Sequence, residues 1–178
     1  MTSLPSESSA PVDAEADAPA AGRKRPRPGE RRVQILQALA TMLEQPGAER
    51  VTTAALAARL EVSEAALYRH FASKAQMFEG LIEFIEQSVF GLIGQLAERE
   101  SDPLARCRKL VGLLLQFGEK NPGMTRVMVG DALVFENERL QQRMNLFFDK
   151  IESTLRQNLR EAAVLTGAST PTVDAQAD

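Results

Sequence analysis

Apolar residues recur every three to four positions along most of the chain between residues 30 and 165, and this spacing constrains the fold more than any other feature. It places apolar side chains along one stripe of an α-helix, whereas a half-buried strand would need strict alternation. No segment alternates convincingly with period two. The pattern therefore predicts an all-α protein with an N-terminal three-helix head followed by a C-terminal helical bundle.

Capping residues and helix breakers divide this pattern into seven predicted helices. Ser63 and Ser73 are the predicted N-caps of the third and fourth helices, and Thr52 or Thr53 that of the second. The predicted helices cover residues 30–43, a short second segment, residues 64–71, a long fourth helix from residue 74 towards residue 99, a fifth from residue 103 that residues 121–123 break, about 124–137 and about 139–165. The residues predicted to face inward are Val33, Leu36, Leu39, Ala40, Leu43, Leu56, Ala57, Leu60, Ala66, Leu67, Phe78, Leu81, Ile82, Ile85, Val89, Leu92, Leu104, Cys107, Leu110, Val111, Leu114, Phe117, Leu140, Met144, Phe147, Phe148, Ile151 and Leu155.

The N-terminal segment has a different composition from the rest of the chain. Residues 1–29 are rich in Ala, Pro, Ser and acidic residues, cannot bury a core and are predicted to be disordered. Residues 23–27 form a basic arm at the end of this tail, where Arg25 and Arg27 could enter a minor groove. A solubilising linker is the alternative interpretation. The predicted division is then tail 1–29, head 30–74, regulatory and partner-binding bundle 75–165 and flexible tail 166–178.

Positive charge is concentrated in the head, although the whole chain carries a net charge of only −3. Residues 23–74 hold ten basic and five acidic residues, whereas the segments before and after each carry −4. A basic region between two acidic ones indicates a polyanionic partner and says nothing about the fold.

The residue inventory excludes several classes of function. One cysteine, Cys107, cannot form an internal disulfide, and the single histidine, His70, argues against most histidine metal sites and catalytic triads. No nucleophile–base pair, phosphate-cradling glycine loop or metal cluster is recognisable, so neither an enzyme nor a cofactor is expected. The sequence contains no apolar run long enough for a membrane span and no secretory signal. We therefore expect a cytoplasmic protein without a membrane partner.

Residues 52–71 have the features of a helix-turn-helix. Such a motif needs a small residue in its first helix, supplied by Ala57, and a buried apolar residue in the turn, supplied by Val62. The exposed face of its second helix can then enter a major groove. The residues predicted to face outward on that helix are Glu64, Ala65, Tyr68 and Arg69, and those predicted to anchor it are Ala66, Leu67 and Phe71. On pattern alone, a generic corner between two helices is an equal alternative.

The string from Val62 to Lys74, VSEAALYRHFASK, resembles the recognition-helix signature of the TetR family of regulators. Ala72 departs from the proline that is frequent at that position. The resemblance implies phosphate contacts from Thr52, Tyr68, His70 and Lys74, and base-edge contacts from the start of the third helix; His70 could equally be a cap packed between helices. The predicted DNA-binding residues are Thr52, Thr53, Ser63, Glu64, Ala65, Tyr68, Arg69, His70 and Lys74, with Arg25 and Arg27 of the basic arm.

Further segments resemble the nucleoid occlusion branch of that family, in which DNA binding is coupled to antagonism of the tubulin-like division protein FtsZ. These segments are residues 81–86, 117–123 and 133–136. The resemblance implies a nucleoid-associated protein that binds palindromic sites as a homodimer. It also implies FtsZ contacts from Phe84, Leu113, Lys120 and Asn121. Phe84 could instead belong to the core, Leu113 could be partly buried, and Asn121 could simply cap a helix end.

Two features of the sequence bear on dimerisation and on the alternative function. Relatives of this type continue with further helices that build the dimer interface, whereas this sequence stops at Asp178, which puts dimerisation and palindrome binding in doubt. The alternative function is a ligand-responsive TetR-type repressor whose bundle encloses a pocket. Few polar residues occur on the apolar faces, which weakens that alternative.

Overall fold

The computed structural model describes residues 29–45 and 51–167, and this part of the chain contains seven α-helices, a short 3-10 turn and no strand. The predicted all-α fold is therefore confirmed. The helices are α1 (Glu30–Leu43), α2 (Thr53–Arg59), α3 (Glu64–Tyr68), α4 (Lys74–Arg99), α5 (Pro103–Lys120), α6 (Pro122–Met128) and α7 (Glu138–Thr166), with the 3-10 turn at Asp131–Leu133. The predicted N-terminal tail up to residue 28, its basic arm with Arg25 and Arg27, and the tail from residue 168 lie outside the described residues.

Local capping explains where α2 to α5 begin. The hydroxyl oxygens of Thr52, Ser63 and Ser73 each accept a hydrogen bond from the backbone amide three residues later. The carboxylate of Asp102 accepts from two amides at the start of α5, and Pro103 follows it. The predicted starts are confirmed, and Thr52 rather than Thr53 is the N-cap of α2.

A single hydrophobic core runs through the head and the bundle. It extends from Ile35 in α1 through Phe78 and Leu81 in α4 to Phe147 and Ile151 in α7. Helix α1 packs against α4 and α6, while α4, α5 and α7 pack together. Between α4 and α7, Arg143 makes two hydrogen bonds with the Glu86 carboxylate, which raises the pKa of Arg143.

Helix α6 lies unusually close to α1. A Cβ added at Gly123 would fall 2.0 Å from the carbonyl oxygen of Ala40, so only glycine fits at this contact. Arg126, one turn later in α6, donates to the carbonyl of Leu43 at 2.9 Å. This bond satisfies a carbonyl at the end of α1 that has no acceptor role within the helix.

Five residues predicted to face inward are exposed: Val33, Leu92, Leu104, Val111 and Phe148. In α4 the buried residues Ile85, Val89 and Ile93 follow one another at intervals of four, which leaves Leu92 beside the stripe. In α1 the buried residue near the start is Ile35 rather than Val33. The helical period of the apolar residues was predicted correctly. Because apolar residues also stand next to one another in the sequence, the period did not determine exactly which face of each helix is buried.

The predictions for α3 and α6 were wrong in their boundaries. Helix α3 ends at Tyr68 instead of residue 71. Helix α6 begins at Pro122 and ends at Met128, whereas a helix over about 124–137 was predicted. Gly130 adopts a left-handed conformation with φ 83°, which ends the α-helix and leads into the 3-10 turn.

Candidate nucleic-acid interface

The turn between α2 and α3 has the geometry of a helix-turn-helix. The Val62 amide donates to the carbonyl of Ala57 at 3.0 Å, and Ala57 is buried, so its small side chain allows the close crossing. Glu61 holds the turn in the left-handed region with φ 54°, an unfavourable conformation for a side chain with a Cβ. The corner between α2 and α3 is therefore sharp and fixed by the backbone.

Helix α3 has one buried and one exposed face. Leu67 and, just beyond the helix, Phe71 are fully buried and anchor it to the head. Tyr68 is 44% exposed. The other residues predicted on the outer face, Glu64, Ala65 and Arg69, are exposed as well. This division is the one predicted, and the outer face of α3 is open to solvent.

A hydrogen bond ties the beginnings of α2 and α3 together. The Thr53 hydroxyl donates to the Glu64 carboxylate at 2.6 Å. Both side chains were predicted at the DNA interface, and this bond holds the Glu64 carboxylate in place at the start of α3.

Arg32 in α1 supports the end of the helix-turn-helix and was missed by the sequence analysis. Its Nη1 donates to the backbone carbonyl of His70, and its guanidinium lies 4.1 Å from the centre of the Phe71 ring. His70 itself is half-buried and lies between the end of α3 and the start of α4 in sequence. Because Arg32 and His70 are 38 positions apart, no local pattern could have indicated their contact.

Lys74 is engaged within the protein. Its Nζ pairs with Oε1 of Glu136 at 2.5 Å, across the connection between α6 and α7. The ammonium also lies 5.7 Å from the centre of the Phe78 ring. Lys74 was predicted to contact a DNA phosphate, and its contact with Glu136, 62 positions away, was not predicted.

A groove of about 560 Å³ lies along α4 and α5, and we call it the α4–α5 groove. Three of the four predicted FtsZ-binding residues, Leu113, Lys120 and Asn121, line it. The lining residues are Leu92, Lys109, Gly112, Leu113, Gln116, Phe117, Lys120 and Asn121. The fourth predicted residue, Phe84, is outside this lining but is 37% exposed, so it is not a core residue.

The side chain of Asn121 has a capping role. Its Nδ2 donates to the carbonyl of Phe117 at 2.8 Å, and its backbone carbonyl accepts from Thr125. Leu113 is half-buried against the core. Lys120 is exposed and is the charged residue among the four predicted partner-binding residues.

Two other classes of site are missing from the described part of the chain. No group of three or more His, Cys, Asp or Glu side chains is arranged to hold a metal ion among residues 29–45 and 51–167. None of the helices described there is both long and apolar enough to cross a membrane.

Both halves of the chain match known sequence families. Residues 35–81 match the bacterial regulatory proteins of the tetR family, and residues 101–176 match a tetracyclin repressor-like C-terminal domain of the SlmA-like type. The chain is 56% identical over 147 residues to the nucleoid occlusion factor SlmA of Aliivibrio fischeri strain MJ11, a match that covers 82% of this chain and 75% of the relative. It is 58% identical over 142 residues to the nucleoid occlusion factor SlmA of Vibrio cholerae, covering 79% and 72%.

Solved structures show the same fold at low sequence identity. A TetR-family transcriptional regulator from Agrobacterium tumefaciens superimposes with a TM-score of 0.68 at 18% identity, covering 84% of this chain and 82% of that one. The TetR-family regulator PfmR from Thermus thermophilus gives a TM-score of 0.61 at 23% identity, covering 80% and 79%.

Proposed function

Since the chain belongs to the TetR-family nucleoid occlusion factors of the SlmA type, we propose that it binds specific DNA sites and inhibits cell division over the nucleoid. In this proposal it acts in the cytoplasm as a nucleoid-associated homodimer on palindromic chromosomal sites. The bound protein antagonises the assembly of FtsZ polymer into a Z-ring. It is a regulator rather than an enzyme.

The observation that carries this proposal is that the outer face of α3 is open to solvent. The helix itself is held in place by the Ser63 cap and by the buried side chains of Leu67 and Phe71. An α-helix fits the major groove, where the edges of the base pairs present distinct patterns of donors and acceptors. The start of α3 supplies the base contacts, while Tyr68 and Arg69 at its end lie where phosphate contacts are expected. Phosphate contacts position the protein without reading sequence.

The α4–α5 groove is the proposed FtsZ-binding surface. Its walls combine apolar residues with the exposed ammonium of Lys120, a composition that suits an apolar peptide segment flanked by acidic residues. The capping role of Asn121 fixes the rim of the groove, because its amide holds the end of α5.

The alternative, a ligand-responsive repressor, depends on a cavity within the bundle. A cavity among α4, α5 and α7 is lined in part by Arg106, Thr154 and Asn158 and has a volume of about 140 Å³. Ligand pockets usually measure about 300–1,000 Å³, so this cavity is small for an effector molecule. This interior cavity therefore gives the repressor alternative little support.

The DNA-binding part is tested by selecting bound duplexes from a random library and measuring affinity for the enriched palindrome. We expect the logarithm of the affinity to fall linearly with the logarithm of salt concentration, with a slope of about −0.9 per phosphate neutralised. Arg69→Ala should weaken binding and make the slope less negative by about 0.9. Arg108→Ala, which removes a guanidinium from the exposed surface of α5, serves as control; equal losses in both variants would contradict the assignment of α3.

The partner-binding part is tested by sedimenting FtsZ polymer with the protein, with and without the selected duplex. Lys120→Ala should retain duplex affinity and lose most of the antagonism of the polymer, whereas Arg108→Ala on the same helix should retain both. Two results would contradict this half of the proposal. One is antagonism of the polymer by the wild type without duplex, and the other is undiminished antagonism by Lys120→Ala.

A further inference from the structure

The Lys74–Glu136 ion pair joins the first residue of α4 to the connection between α6 and α7. The Lys74 side chain is 25% exposed and that of Glu136 is 11% exposed, so the pair is largely withdrawn from water. Screening by salt is weak for such a pair compared with one on the surface. The pair is therefore closed in the structure without DNA.

The surroundings hold both partners in place. The backbone amide of Glu136 donates to the Leu133 carbonyl at 2.9 Å, which fixes the turn that carries the carboxylate. On the other side, the ammonium of Lys74 lies near the ring of Phe78, 5.7 Å from its centre. A buried carboxylate that loses its partner is costly, and this cost opposes the departure of Lys74.

An ammonium that is already neutralised by a carboxylate contributes little to phosphate binding. Lys74 is the first residue of α4, six positions after Tyr68, which the proposed function places at the DNA backbone. To reach a phosphate, its Nζ has to leave Glu136. Carboxylate and phosphate therefore compete for the same cation.

We propose that Glu136 is a positioning residue for the DNA interface: it holds Lys74 away from the phosphate and so sets the strength and salt dependence of duplex binding. The inference rests on the proposed DNA-binding function. It assigns to the connection between α6 and α7, outside the helix-turn-helix, a direct influence on DNA affinity.

The test is Glu136→Gln, measured on the palindromic duplex obtained by the selection described above. Release of Lys74 should tighten binding by up to about fivefold at low salt, the range expected for one ion pair. The slope of log affinity against log salt should become more negative by up to about 0.9, since one more phosphate is neutralised. A purely structural role of Glu136 would not steepen this slope.

The matched control is Glu138→Gln, which removes the same charge at an exposed position two residues further along the chain. The Glu138 carboxylate is hydrogen-bonded only loosely to Gln142, at 3.3 Å. This variant should leave affinity nearly unchanged. In a Lys74→Ala background, Glu136→Gln should have no effect on affinity. A gain of equal size in Glu138→Gln, or one that persists without Lys74, would show a general effect of charge and overturn the inference.

Folding is checked by thermal unfolding of each variant. If Glu136→Gln is unstable, Glu136→Ala removes the carboxylate without leaving a buried amide and should change affinity and slope in the same direction. Unchanged affinity in a folded variant overturns the inference alone. A folded wild type that binds no duplex in the selection overturns the proposed function instead.

Discussion

At the scale of single residues, Cys107 shows how burial controls chemistry. The thiol is half-buried, and its Sγ lies 3.9 Å from the carbonyl oxygen of Leu155. Burial raises the pKa of Cys107, because the thiolate loses water, while the neighbouring Arg106 and Arg108 oppose this shift less strongly. The thiolate fraction at neutral pH is therefore lower than for a free cysteine.

We expect Cys107 to react slowly with iodoacetamide at about pH 8, because the thiolate is the nucleophile. The rate should increase with pH along a curve displaced to higher pH than that of the unfolded chain. Mass spectrometry of the alkylated protein, with and without denaturant, measures both rates. A native rate equal to the unfolded rate would contradict the raised pKa.

The sequence alone predicted the exposed face of α3 but not the long-range contacts of the head. The exposure of Tyr68 and Arg69 followed from the helical period, since the side of a helix on which a residue lies depends on local spacing. The contacts of Arg32 with His70 and of Lys74 with Glu136 join residues far apart in the chain. Such contacts depend on the packing of whole helices, which no local pattern contains.

At the scale of helices, starts were more predictable than ends. The starts of α2 to α5 follow from side chains that bond amides two or three residues away, so the signal lies within one turn. The end of α6 depends on the left-handed conformation of Gly130. A glycine can also occur inside a helix, as Gly94 does in α4, so the presence of a glycine does not by itself predict where a helix ends.

The contact between α1 and α6 gives a prediction at the same scale. Gly123→Ala should destabilise the protein by about 3 kcal/mol or more, because its Cβ would meet a backbone carbonyl that cannot move alone. Gly94→Ala, where a Cβ has open space in α4, should instead stabilise it by about 0.5–1 kcal/mol. Urea unfolding of both variants measures the difference. Similar stabilities for the two would show that α1 and α6 are not in such close contact.

At the scale of the whole molecule, the hydrophobic core is continuous across the predicted boundary between head and bundle at residue 74. Side chains from α1 in the head and from α4 and α7 in the bundle belong to one cluster. Head and bundle are thus separate by proposed function but continuous in packing. The division into domains 30–74 and 75–165 remains a prediction.

We therefore expect one cooperative unfolding transition, with equal calorimetric and van't Hoff enthalpies. Arg126→Gln removes a hydrogen bond to the end of α1 and an ion pair with Asp131, so it should lower stability by about 1–3 kcal/mol. It should shift the whole transition without splitting it. Differential scanning calorimetry checks this; two separate transitions in either protein would show that head and bundle unfold independently.

The approach of Gly123 to the carbonyl of Ala40 also has a consequence for motion. Where two helices meet through main-chain atoms, there is no layer of side chains whose rotamers could change and let one helix slide over the other. Helices α1 and α6 should therefore move together as one rigid unit. A peptide bound beside Asn121, the residue from which α6 starts, would then act on α1, whose Arg32 contacts the end of the helix-turn-helix.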